Sequence, residues 1–203
     1  VPSPTGPGSN YPFLTSFEGQ LLMTWTEKVG EEHAVKFASY RDGRWTKPAV
    51  VVQRRDLFVN WADFPSITTT PDGTLFVHFL QKSGEGTYAY DVHLSTSSDG
   101  GRTWSPSRVI HDDGVQAEHG FVSMMPVRDD AVGIVWLDGR EMKGHHGGEM
   151  TLRYARIDSR GRFARQDLLH KGVCECCSTG MVMASNGPVV VYRDRSETEI
   201  RAI

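Results

Sequence analysis

Cysteine is nearly absent from this chain of 203 residues: there are three, and all of them crowd into Cys174-Glu175-Cys176-Cys177. A disulfide framework spread through the fold is therefore excluded, and apolar packing has to hold the core. Helix-period patterning is missing over any useful length, and so is an apolar run long enough to span a membrane. Lys and Arg form no block and the net charge is only −3, which leaves no electrostatic footprint for nucleic acid or an anionic membrane. No P-loop, dinucleotide fingerprint or H-E-x-x-H occurs, so no motif asks for a cofactor. What is present is 38% hydrophobic residues with 21 Gly and 10 Pro, a composition suited to an all-β domain with many turns.

That domain is built from repeats. The runs Leu21-Leu22-Met23-Thr24-Trp25, Leu75-Phe76-Val77-His78-Phe79, Val132-Gly133-Ile134-Val135-Trp136 and Pro188-Val189-Val190-Val191-Tyr192 end on aromatics spaced by 54, 57 and 56 residues. A second series, Tyr11-Pro12-Phe13-Leu14, Phe64-Pro65-Ser66-Ile67 and Gly120-Phe121-Val122-Ser123, opens each unit. A third places Trp45, Trp104 and Phe163 just after Gly-containing turns, at intervals of 59 and 59. Three series in step at this period mark a propeller or solenoid array, and short strands with turn signals such as Pro71-Asp72-Gly73 favour four-stranded propeller blades.

The most specific stretch is Ser97-Ser98-Asp99-Gly100-Gly101-Arg102-Thr103-Trp104. Ser and Asp side chains can bond backbone groups inside a tight turn, the glycines can supply positive φ, and the Trp anchors the next strand. Upstream, residues 91–97 alternate as a strand would. The octet resembles the Asp-box of the sialidase-like β-propellers, a BNR-repeat family, and Arg41–Trp45 and Asp158–Phe163 are weaker versions of it. The C-x-C-C run, followed by Val191-Tyr192-Arg193-Asp194-Arg195-Ser196, resembles a bacterial sub-group of that family. The resemblance implies an all-β propeller, six-bladed when complete. This chain would supply about three and a half blades, over residues 11–57, 61–114 and 118–173 with a partial blade at 174–203. Residues 1–10 read as a flexible lead-in of the kind left after a signal peptide or cut from a longer chain, and a secreted or periplasmic protein is expected.

The same resemblance implies an activity: release of terminal sialic acids. An arginine cluster grips the sugar carboxylate, a Tyr activated by a Glu is the nucleophile, and an Asp is the acid/base. Trp136-Leu137-Asp138-Gly139-Arg140 resembles the family's E-G-R segment. Gly148-Glu149-Met150-Thr151-Leu152 resembles its G-D-x-D-L, with Glu149 at the acid. Asn10-Tyr11-Pro12 stands where the family has R-I-P, and Asp63 occupies the same place in the next unit. Blade geometry puts the Asp99 turn on one face and these segments on the other. The catalytic candidates are Asp63, Glu118, Asp138, Arg140, Glu149 and Tyr88; the substrate-binding candidates are Asn60, Trp61, His119, Arg193 and Arg195. The expected partner is a glycan or a small acidic sugar, with no nucleic acid, no membrane span and no metal or other cofactor.

Plainer roles stay open beside these. Arg140 and Arg195 can pair with Asp138 and Asp194 for structure alone. Asp63 and Glu118 can cap local backbone, and Trp61 can stack on a sugar or fill space between blades. A non-catalytic carbohydrate-binding propeller is the alternative function. For Cys174, Cys176 and Cys177 three readings compete: a disulfide, including one between adjacent Cys176 and Cys177; a zinc site completed by His119, His145 or His146; or small residues filling a tight strand start.

Overall fold

The computed structural model describes residues 1–128, 130–142, 148–164, 166–195 and 200–202. It is all-β among those residues: sixteen strands in four antiparallel sheets, each in chain order except that β5 of the first pairs with β3 beside β4. The first holds β1 (Ser9–Phe17), β2 (Gln20–Val29), β3 (Glu32–Arg41), β4 (Arg44–Trp45) and β5 (Ala49–Arg54). The second holds β6 (Ser66–Thr69), β7 (Leu75–Lys82), β8 (Tyr90–Ser97) and β9 (Arg108–Val109). The third holds β10 (His119–Val127), β11 (Ala131–Asp138), β12 (Thr151–Asp158) and β13 (Asp167–Lys171). The fourth holds β14 (Gly180–Ala184), β15 (Gly187–Arg193) and β16 (Ile200–Ala202). This is the expected partial propeller.

The second strand of a sheet explains how the sheets stack. Every residue of β11 is buried, and so are the first six of β7. A strand buried on both faces reads as a continuous apolar run rather than an alternation. Its two parities serve different neighbours. Leu75, Val77 and Phe79 join Leu22, Val35 and Phe37 of the first sheet, whereas Phe76 and Leu80 join Val132, Ile134 and Trp136 of the third. Val135 and Leu137 then face Val190 and Tyr192 of the fourth. Phe79, Trp136 and Tyr192 are buried in these interfaces, and Trp25 is buried against Met23, Ala38 and Trp45 of its own sheet. Burial of one such ring stabilises by roughly 2 to 3 kcal/mol, so the repeat is the packing code of the fold.

The Ser97–Trp104 turn closes one end of the second sheet. Asp99 Oδ1 accepts from Ser97 Oγ (2.8 Å) and from the backbone N–H groups of Arg102 and Thr103 (both 3.0 Å), while Oδ2 accepts from Thr103 Oγ1 (2.6 Å). Gly101 has φ +84°, and Trp104 packs edge-on against Phe37 of the first sheet at 5.6 Å. Asp158 repeats the pattern, accepting from the N–H groups of Arg160 and Arg162.

Candidate functional site

At the other end of the same strands, the segment leading into each sheet crosses the ends of its neighbours. Tyr90 bridges Glu118, its N–H donating to the Ala117 carbonyl (3.1 Å), and Gly139 N–H donates to the Glu118 carbonyl (2.8 Å). Residues 117–119 are thereby clamped between the start of β8 and the end of β11. Asp63, Glu118, Asp138, Arg140, Arg193 and Arg195 lie at this end and the Asp99 turn lies at the other, as blade topology expects.

Two groups of side chains form here. In the first, the Tyr90 hydroxyl donates to Glu118 Oε1 at 2.7 Å, and Tyr90 stacks on Phe58 with centroids 4.0 Å apart. Asp63, 4% exposed, accepts the Phe121 N–H on Oδ2 at 2.7 Å. The backbone is bent to make that bond. Phe121 has φ 52° at a register shift between Gly120 and Ser123, and Tyr11 has φ 54° at the equivalent shift in β1. A bulge with a non-glycine residue in the left-handed region costs on the order of 1 kcal/mol, and strain of this sort gathers at functional positions. Gly120 is required in the same place, because a Cβ there would sit 2.0 Å from Asp63 Oδ2. Burial raises the Asp63 carboxyl to about 7, with the Glu118 charge adding to the rise and the Phe121 N–H opposing it. Burial also raises Glu118, against the hydrogen bond from Tyr90. Tyr90 itself is held above the ordinary phenol range by burial and by the two carboxylates.

In the second group His111 and His119 stack with centroids 3.8 Å apart and planes 14° from parallel. A carboxylate stands at each edge of the stack. Asp91 Oδ1 is 3.6 and 3.4 Å from His111 Nε2 and His119 Nδ1, and Asp113 Oδ2 is 3.0 and 3.3 Å from the two opposite nitrogens. Burial lowers His111, and the neighbouring His119 lowers it further. His119 is raised despite burial, because Asp91, Asp138 and Asp113 all favour its charged form. The two stacked rings are thus pushed in opposite directions, His119 toward its charged form and His111 away from it. Asp138 is fully buried and fully engaged: Arg140 forks onto it through Nε and Nη2 (both 2.7 Å), and Trp136 Nε1 donates at 2.7 Å. Arg140 Nη2 also reaches Asp113 at 2.9 Å. These contacts hold Asp138 below the usual carboxylate range against its burial. An open cleft of about 520 Å3 adjoins the group, lined by residues that include His111, Asp112, Arg140, Arg153 and Gln166.

Donor atoms within 4.8 Å of one another occur in Asp91–His111–His119, in Asp113–His119–Asp138 and in the three cysteines. The first two sets do not converge on one ion. Parallel imidazoles direct their ring nitrogens alongside each other, and Arg140 already occupies Asp113 and Asp138. His119 likewise turns both nitrogens to carboxylates, so it does not complete a zinc set with the cysteines; His145 and His146 lie outside the described residues.

The remaining candidates scatter. Asn60 caps the Ala62 N–H, while Trp61 is 77% and Tyr88 62% exposed, so Trp61 does not fill space between sheets. Glu149 is exposed; Arg193 reaches Cys177 Sγ, and Arg195 pairs with Glu175. Tyr90 was not among the candidates because the alternating strand was begun at Asp91, one residue late. The period held a second unread signal. The residue two places after each buried aromatic is Glu27, Gln81, Asp138 or Asp194, and both Trp25 and Trp136 donate their indole N–H to it.

A stack of antiparallel sheets of three to five strands with a polar cluster at one end defines a propeller-type domain. The family model for the BNR repeat-like domain matches residues 19–201, and the chain belongs to that family. Its structure is similar to that of a Hadza microbial sialidase (TM-score 0.64, 15% identity, 96% of this chain and 44% of that one). It is also similar to an α-L-arabinanase of Penicillium chrysogenum complexed with arabinobiose (0.58, 16%, 97% and 63%). A third is the intramolecular trans-sialidase of Ruminococcus gnavus (0.52, 16%, 89% and 38%). The chain thus spans less than half of either sialidase. No functionally curated relative matches it.

Proposed function

We propose that this face processes a terminal sugar of a glycan, as part of a glycoside hydrolase of the sialidase type in an exported protein. The observation that carries the reading is the Tyr90–Glu118–Asp63 group: a hydrogen-bonded Tyr–Glu pair beside a second carboxyl whose pKa is pushed up to about 7. Two carboxyl groups moved away from their ordinary values by burial are what proton transfer at neutral pH requires. Glu118 is half-buried and reachable, whereas Tyr90 is 1% exposed. In this arrangement Tyr90 orients Glu118 rather than attacking the sugar, and Asp63, buried like Tyr90, supports the pair from behind rather than meeting the sugar. Arg140 is committed to Asp138 and Asp113, so the grip on an acidic sugar falls to exposed Arg193.

Hydrolysis of a fluorogenic sialic acid glycoside by the full-length protein tests this. Glu118→Gln is expected to lower kcat by about a hundredfold or more with the melting temperature kept. The second reading, a binding propeller, draws on exposed Trp61 and on the occupied Arg140. Retention on immobilised acidic glycans without any turnover would establish it in place of the first.

A further inference from the structure

The three thiols have no part in the glycan reading. Their segment is pinned before any side chain acts: Val173 bridges Asp194, Cys174 N–H donates to the Arg193 carbonyl, and Arg195 N–H donates to that of Gly172, both at 2.9 Å. On this frame Cys174 and Cys177 are half-buried and Cys176 is exposed. Cys174 Sγ lies 2.6 Å from Cys177 Sγ and 3.8 Å from Cys176 Sγ, so its nearer partner is the one at C-x-x-C spacing. Two thiolates sharing a tetrahedral zinc ion sit about 3.8 Å apart, each about 2.3 Å from the metal; Cys174 and Cys176 stand at that spacing, whereas Cys174 and Cys177 are closer. The Arg193 guanidinium donates to Cys177 Sγ at 3.6 Å, and a cation beside sulfur favours thiolate. A cleft of about 210 Å3 opens on the group, lined by Cys174, Glu175, Cys176, Arg193, Asp194 and Arg195.

We propose that Cys174 and Cys177 are a dithiol–disulfide couple that exchanges with a small anionic disulfide of the glutathione class, attracted by Arg193. The Cys177 thiolate attacks one sulfur of the small disulfide, forming a mixed disulfide and expelling a thiolate that takes up a proton. The Cys174 thiolate then attacks Cys177 Sγ, closing the protein disulfide and releasing the second small thiol. One small disulfide is reduced to two thiols as the two cysteines lose two hydrogens. Cys176 is left outside the couple. The Arg193 and Arg195 backbone hangs on this segment, so its redox state would act directly on that edge of the site.

The test is to incubate reduced protein with oxidised glutathione, quench with an alkylating agent and map the peptide spanning the three cysteines by mass. The expected product lacks two hydrogens, carries one alkyl group on Cys176 and accompanies two reduced glutathione molecules. Cys176→Ser should give the same cross-link, while Cys174→Ser and Cys177→Ser should each stop at a glutathione adduct. Arg193→Gln should slow the reaction with glutathione severalfold more than that with neutral hydroxyethyl disulfide, because loss of the cation weakens the thiolate in both cases and the attraction only in the first. Three alkylated thiols at every ratio, a Cys176–Cys177 linkage, or one equivalent of zinc in the purified protein would each overturn the couple. Equal slowing with both disulfides would overturn the anion preference. Tryptophan fluorescence confirms folding of each variant, and Cys176→Ser keeps a positive result available if another fails to fold.

Discussion

The two ends of β8 are polar in opposite ways. At its C-terminal end the Asp99 carboxylate is half-buried in its own turn, and hydrogen bonds led by the Thr103 hydroxyl hold its pKa well below the usual range. At its N-terminal end Asp91 Oδ1, Asp113 Oδ2 and three ring nitrogens of His111 and His119 are buried without a well-aligned hydrogen bond. They meet charged neighbours at 2.9 to 3.8 Å instead. A fully satisfied turn is a staple, since nothing in it is left to react. Buried groups that are charged and imperfectly paired raise the free energy of the fold, and such groups concentrate where chemistry is done. One strand thus carries a satisfied end and an end of buried, imperfectly paired charge where the proposed site lies.

The contrast has a pH signature. Asp63 titrates near 7 when folded and near 3.8 when unfolded, so below pH 4 both states bind the proton and above 7 neither does. Between these limits only the folded state holds it, and stability falls as pH rises. Asp63→Asn removes that slope while keeping an acceptor for the Phe121 N–H. Relative to the native chain, the variant should therefore gain on the order of 4 kcal/mol between pH 4 and 8. Urea unfolding across that range reads the gain, and a constant difference would mean that the carboxyl is not strained by burial.

The staple end should respond sterically and show no such slope. A Cβ on Gly101 would lie 2.2 Å from Phe37 Cε1, on a residue already at φ +84°. Gly101→Ala combines overpacking with backbone strain and should cost about 3 kcal/mol at every pH. A cost that varied between pH 4 and 8 would show that the two ends are coupled.

How much of this was legible depended on what each feature needs. The strands and the stacking of sheets follow from local pattern, because Trp25, Phe79, Trp136 and Tyr192 recur at one period and each is buried by its own sheet's neighbours. Asp63 and Glu118 could be picked as acids at the right end of their units. That Tyr90 meets Glu118, or that Asp63 meets Phe121, is a contact across 28 or 58 residues that no spacing announces. The His111–His119 stack spans only eight residues, but His111 follows β9 and His119 opens β10, and no period across that irregular stretch announces that the rings meet. Arg140 shows the reverse, since its partner Asp138 is two residues away and its ion pair was readable as an alternative from the start.

Trp61 gives the smallest effect on the fold and the most selective one on binding. It stands at the end of the proposed site, two residues from buried Asp63, yet is 77% exposed. An indole in that position gains little from packing, so Trp61→Ala should change the unfolding free energy by less than about 0.5 kcal/mol. If the ring stacks on a sugar, its loss removes roughly 1 kcal/mol of binding, a weakening of about fivefold. Trp61→Phe keeps an aromatic face and should restore most of that affinity. Titration calorimetry with an acidic oligosaccharide, alongside thermal unfolding, separates the two quantities. Equal affinity for native and Ala proteins would remove Trp61 from the site and leave that end to its buried carboxyl groups; a large loss of stability would place the ring in a packing role instead.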